Sequence, residues 1–224
     1  MRELGDRVDL LAINTATFGY QWPIEKTIDL LAARRVGGIA PWRREIEDSG
    51  ADVSAVARRI GDAGLVVTGY CRSRTLTGAA AAERGAAIDE NRRALDVAAA
   101  LGARCYVMVV GSVHAGGRDL AGARAQAFDG VAALLDHARD VGVSLALEPL
   151  HPMTAGDRSC LNTLAQALDW CDQPNEPSGQ PGRNEVQTGL ASCGATWVIR
   201  RNTSMTSGES RRSPRGRTSP DRRS

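Results

Sequence analysis

Five short apolar runs, each followed by a longer amphipathic run, recur between residues 8 and 173. They limit the possible folds more than any other feature. The short runs are 8–14 (VDLLAIN), 36–40 (VGGIA), 65–71 (LVVTGYC), 104–111 (RCYVMVVG) and 143–148 (VSLALE). Apolar runs of this length, bounded by turn residues, predict strands. Residues 24–35, 52–63, 83–101, 119–141 and 161–172 place apolar residues at helical spacing, as with Ile24, Ile28 and Leu31, or Ile88 and Leu95. Asp52 stands where an N-cap belongs, and Gly102 and Gly142 stand where helices stop. A strand and a helix in alternation, five times over, predict a parallel sheet with right-handed crossovers.

Composition removes several function classes. The 224 residues carry a net charge of +2 and no apolar run that could span a bilayer, so neither a nucleic-acid footprint nor a membrane partner is expected. The N-terminus lacks a secretory pattern. Five cysteines (71, 105, 160, 171 and 193) are scattered without a C-x-x-C, which points to a reducing, cytoplasmic setting and to small core residues.

The text changes character after residue 173. Residues 174–224 are rich in Gly, Pro, Ser, Thr, Asn and Arg, with nine arginines against four acids, or +5, which leaves −3 on residues 1–173. A stretch so poor in apolar residues is expected to stay disordered. The expected organisation is a folded unit over 1–173 and a low-complexity tail over 174–224. Lys26 is the one lysine, and the arginine bias fits GC-rich coding, in which out-of-frame translation yields text of this kind.

Two architectures accommodate the repeat, a doubly wound sheet and a (β/α)8 barrel. The first strand is followed by INTATFGYQWP, without G-x-G-x-x-G or a P-loop, and GSVHAGG after the fourth strand has neither spacing. A barrel places its chemistry at the C-terminal ends of its strands. Those ends carry Asn14, Trp42 and Arg43, Cys71 and Arg72, Ser112 and His114, then Glu148 and His151. The fifth strand ends in a carboxylate, and Pro149 forbids its regular continuation. Arg43, Arg72 and Arg158 are candidate binders of anionic groups, Trp42 a candidate sugar-stacking face, and His151 a candidate hydrogen-bond partner for substrate.

INTAT after strand 1, GIAPWR after strand 2, GLVVTGYCR through strand 3 and LALEPLHPMTAGDRSCLNTLAQALD from strand 5 together resemble the sugar phosphate isomerase/epimerase family of xylose isomerase-like barrels. The resemblance covers residues 8–173. It implies a (β/α)8 TIM-barrel type chain, here incomplete with about five βα units. It also implies a divalent metal, Mn²⁺ or Mg²⁺, a small sugar or hydroxy-carbonyl substrate, and isomerisation or epimerisation through an enediolate. Glu148 matches the family's strand-5 glutamate, which is both metal ligand and acid/base. The remaining ligands come from strands 6, 7 and 8 of the family, where this chain has left the pattern. Tagatose-type epimerases carry an asparagine where this chain has His151 and a glutamate where it has Thr154.

A truncated or frameshifted barrel is therefore expected, with open edges at strands 1 and 5 and a tendency to self-associate. An alternative is a non-catalytic remnant of such a barrel. The related DNA-repair endonucleases fit less well, because they need histidines where strands 2 and 3 here end in Trp42-Arg43 and Cys71-Arg72.

Overall fold

A computed structural model describes residues 7–114, 116–172, 186–192 and 195–199, the last two as strand backbone. The predicted alternation is present. Strands β1 (Ala12–Asn14), β2 (Gly38–Ala40), β3 (Val66–Val67), β4 (Tyr70–Cys71), β5 (Cys105–Met108) and β6 (Ser144–Leu147) pair in parallel in sequence order, apart from a break between β3 and β4. These two short strands are the halves of the single predicted strand 65–71. The first half pairs with β2, the second with β5, and a bridge between Trp42 and Cys71 joins the two sheets. Residues 8–10 form a 3-10 turn instead of the start of β1.

The helices fall where the apolar spacing puts them: α1 (Ile24–Ala33), α3 (Val53–Asp62), α4 (Ala81–Ala100), α5 (Leu120–Ala132), α6 (Leu135–Asp140) and α7 (Leu164–Asp172). The predicted helix 119–141 is interrupted around Ala133 and Leu134, giving α5 and α6. A one-turn helix, α2 (Arg43–Ile46), follows β2 and has no periodicity to announce it. The Asp52 carboxylate accepts from the amides of Ser54 and Ala55, capping α3 as its position suggests. Helix faces bearing Ile28, Ile60 and Leu95, with Leu134 at the α5–α6 break, close over strands bearing Ile39, Tyr106, Leu145 and Leu147, all essentially inaccessible to solvent.

The open edge expected at the fifth predicted strand is covered. β7 (Val186–Ser192) pairs in parallel with β6, Leu145 opposite Val186 and Leu147 opposite Thr188. β8 (Ala195–Ile199) returns antiparallel to β7 and comes within 8 Å, Cα to Cα, of β1. The sequence predicts no strand here, because Gln187, Thr188, Gly189 and Ser192 break any apolar run. The rest of 174–224 lies outside the described residues.

Gly111 explains part of the glycine-rich stretch after β5. Its φ is +96°, and a Cβ there would lie 2.6 Å from Thr77 Oγ1 and 2.9 Å from Thr75 Cβ. The Gly111 carbonyl accepts from the Cys160 amide at 2.7 Å, and the Ser112 hydroxyl donates to the Ala155 carbonyl. The glycine thus serves close packing of the Thr75–Thr77 segment against the end of β5, while its backbone also holds Cys160. Gly111→Ala combines left-handed strain with overpacking and is expected to cost about 2 kcal/mol or more, read as a lower denaturant midpoint at unchanged m-value.

Candidate active site

The C-terminal strand ends surround a cavity of about 1110 Å³, lined by residues that include Asn14, Trp42, Arg72, Glu148 and Arg158. Glu148 lines it and is partly buried. Its amide donates to the Met108 carbonyl at 3.0 Å, which extends the β6 ladder by one residue before the buried Pro149. Among the described residues nothing donates a hydrogen bond to the Glu148 carboxylate, and no cation lies within 4.0 Å of it. Burial pushes its pKa up, and the Arg72 charge pulls it partly back. An arginine-paired structural carboxylate, the plain alternative for Glu148, is not what the geometry gives.

A polar network stiffens one wall. The Arg43 guanidinium donates to Glu47 at 2.5–3.0 Å, to Glu90 at 3.3 Å and to the Tyr106 hydroxyl at 3.4 Å. Tyr70 donates to Glu47 at 2.8 Å, and Tyr106 donates to Asn91 Oδ1 at 2.8 Å. Burial raises the pKa of both phenols, so they remain protonated donors. Asn91 is fully buried in α4 and also brackets Arg74, accepting from its amide at 2.8 Å and donating to its carbonyl at 3.0 Å. It thereby fixes the loop that begins with Arg72. Asn91→Leu would leave the Tyr106 hydroxyl and both Arg74 backbone groups short of a partner. The expected cost is about 3 kcal/mol, measurable by denaturant unfolding.

The sequence-predicted residues divide. Trp42, Arg43, Arg72, Glu148 and Arg158 all line the cavity. Arg43 is held by acids and acts as part of the wall. Arg72 lies over the Trp42 ring, 5.7 Å from its centroid, and Tyr20 meets the same indole edge-on at 5.7 Å. His151 is exposed and does not line the cavity. Its Nδ1 accepts from the Met153 amide at 3.2 Å and caps the turn Pro152–Thr154. His114 is likewise exposed. Burial raises the Cys71 thiol pKa, and this side chain behaves as core, as expected.

Two residues that brace the cavity wall without lining it, Glu45 and Asn91, carry no site expectation in the sequence. Glu45 is 8% exposed. Its carboxylate accepts from the Thr15 hydroxyl and from the Trp42 amide at 3.4 Å, fixing the first turn of α2, while burial raises its pKa. Asn91 did carry a signal. It lies three residues after Ile88 and four before Leu95, a polar group on the apolar stripe of α4.

A profile of the xylose isomerase-like TIM barrel matches residues 29–178. The chain belongs to this family. Protein SMc04130 from Sinorhizobium meliloti 1021 is 41% identical with a TM-score of 0.72, over 82% of this chain and 62% of that one. A D-psicose 3-epimerase from Clostridium cellulolyticum H10, solved with D-tagatose, is 15% identical with a TM-score of 0.65, over 80% of this chain and 62% of that one. The IolI protein, solved with a bound zinc atom, is 16% identical with a TM-score of 0.61, over 72% of this chain and 57% of that one. The last two likenesses are of fold. This chain spans about 62% of the length of the first two. No curated protein matches it. No helix among the described residues is long and apolar enough to cross a membrane.

A divalent ion implied by the family can be tested against the residues in place. Glu148 offers one hard carboxylate arm. Among the described residues no three His, Cys, Asp or Glu side chains converge on a common point. One carboxylate does not hold a hard dication against water. The described residues therefore do not fit a metal.

Proposed function

We propose that this chain carries the strand-end portion of a sugar isomerase/epimerase-type site. Its cavity takes a small polyhydroxylated carbonyl compound, and Glu148 moves the proton. The observation that supports this reading is a carboxylate lining the cavity, desolvated and without a hydrogen-bond donor among the described residues. A carboxylate in that state is a stronger base than one in water. It can take a proton from the carbon beside a carbonyl, leaving an enediolate. Delivery of that proton by Glu148 to the neighbouring carbon on the same face gives an isomer, whereas an epimer needs a proton from water on the opposite face while Glu148 keeps the one it took. The Tyr20 and Trp42 rings supply an apolar wall beside it. Solved neighbours that include a D-psicose 3-epimerase point to the same substrate class.

The experiment is proton exchange. D-fructose incubated with the chain in D₂O should lose the NMR signals of the protons flanking its carbonyl. The incomplete ligand set favours a second reading, a barrel that binds a sugar without turning it over. Saturable binding with no deuterium uptake would establish that second reading and end the first.

A further inference from the structure

The cationic side of the cavity has a use that the carboxylate does not explain. Five arginines and four acids line it. Arg43 is bound to Glu47 and Glu90, and Arg74 lies 3.5 Å from Glu90. Arg44 lies over the Tyr20 ring at 4.9 Å and stands four residues before Asp48, whose carboxylate also lines the cavity and opposes an anion there. Arg72 and Arg158 remain. Among the described residues neither guanidinium has an ion pair or a hydrogen bond. Arg72 follows β4, and Arg158 belongs to the segment after β6, so the two come from separate walls that share the cavity with Glu148. The Trp42 ring restrains the Arg72 side chain, which lowers the entropy lost when the guanidinium takes a ligand. A guanidinium presents paired N–H donors that match a carboxylate or a phosphate.

We propose that the substrate of this site carries an anionic group, a carboxylate or a phosphate, held by Arg72 and Arg158. The inference rests on the sugar isomerase/epimerase-type reading and narrows its substrate class. The anion keeps to the arginines because Glu148 repels it. The carbonyl end of the molecule is thereby directed towards the carboxylate. Asp48, also on the wall, is exposed two residues past the end of α2 and has no arginine partner among the described residues. It disfavours an anion on that side and leaves Arg72 and Arg158 as the binding pair.

The test compares three ligands by calorimetric titration of the full chain: D-fructose, D-fructose 6-phosphate and D-fructuronate. The anionic ketoses should bind at least about tenfold more tightly than D-fructose, one tenfold step being one well-made charged contact. Arg72→Gln and Arg158→Gln should each remove most of that advantage, weakening the anionic ketoses far more than D-fructose. The advantage should also shrink as salt rises. A preference for phosphate over carboxylate, or the reverse, names the source of the anion, and either supports the proposal. Equal binding of neutral and anionic ketoses overturns it, as does an anionic preference unmoved by both variants, or no binding of any of the three. Deuterium exchange measured in the same samples separates this proposal from the one it rests on. Exchange on D-fructose without anionic preference sinks the anion site alone. Anionic preference without exchange on any ligand sinks the proton-transfer reading alone.

Discussion

A chain ending at Asp172 is expected to lose cooperative melting and to self-associate, whereas the full chain melts in one transition. Removing residues 173–224 takes away β7 and β8. β6 then becomes an edge, with Leu145, Ala146 and Leu147 facing no ladder partner on one side. Three lost pairings cost on the order of 1 kcal/mol each. Leu145 and Leu147 are 1% exposed. Burial of such a side chain contributes about 1.5–3 kcal/mol, and part of that is lost when a neighbouring strand leaves. The total reaches several kcal/mol against a typical folding margin of about 5–15 kcal/mol. An unpaired apolar edge also recruits other chains. Gln187→Pro separates the ladder from the rest of the segment. β7 lies between β6 and β8, so its amides face a neighbour on either side, and proline removes one of those bonds. The substituted full chain should be destabilised in the same sense, by about 1–3 kcal/mol. If the 1–172 chain melts like the full chain, residues 174–224 are an appendage, as their composition suggests.

The parts of the fold that could be read from sequence are those written in period and punctuation. The apolar spacing of Ile24, Ile28 and Leu31 puts α1 in place, and Asp52 caps α3 through its own side chain. Gly102 and Gly142 follow α4 and α6 at φ of 69° and 73°. The β3/β4 division was hidden, because it depends on which neighbour each half of the strand meets. β7 and β8 were hidden for a related reason. Their pairing comes from the free side of β6, while their own polar and glycine residues read as loop.

The site was legible at Glu148, where an apolar strand ends in a charge followed by proline. Trp42, Arg43, Arg72 and Arg158 were legible as wall residues from their strand-end and loop positions. What each one does was not. Arg43 and Arg72 occupy equivalent places in sequence. Arg43 is engaged because Glu47 follows it by one helical turn, and α2 exists only in the folded chain. His151 looked like a site residue by proximity to Glu148, yet the turn it caps directs it to solvent.

Glu148 is the one group to which proton transfer is assigned. Glu148→Gln keeps the shape of the side chain and removes its charge and its basicity. Burial holds the Glu148 pKa above the ordinary carboxylate value, so the folded wild type binds that proton more tightly than the unfolded chain does. Wild-type stability therefore falls as pH rises from the ordinary glutamate range through the raised folded value. The glutamine variant escapes that loss, so it should melt at or above the wild-type temperature at neutral pH. The difference should vanish in acid. Loss of activity in a folded variant then reports on chemistry. The decisive measurement is the rate of deuterium uptake at the carbons flanking the carbonyl of a bound ketose, wild type beside Glu148→Gln at pH 7. The account predicts uptake with wild type and a loss of about 10²–10⁴-fold in the variant, the usual contribution of a positioned base, with ligand affinity changed far less. Equal uptake in the two proteins would contradict it.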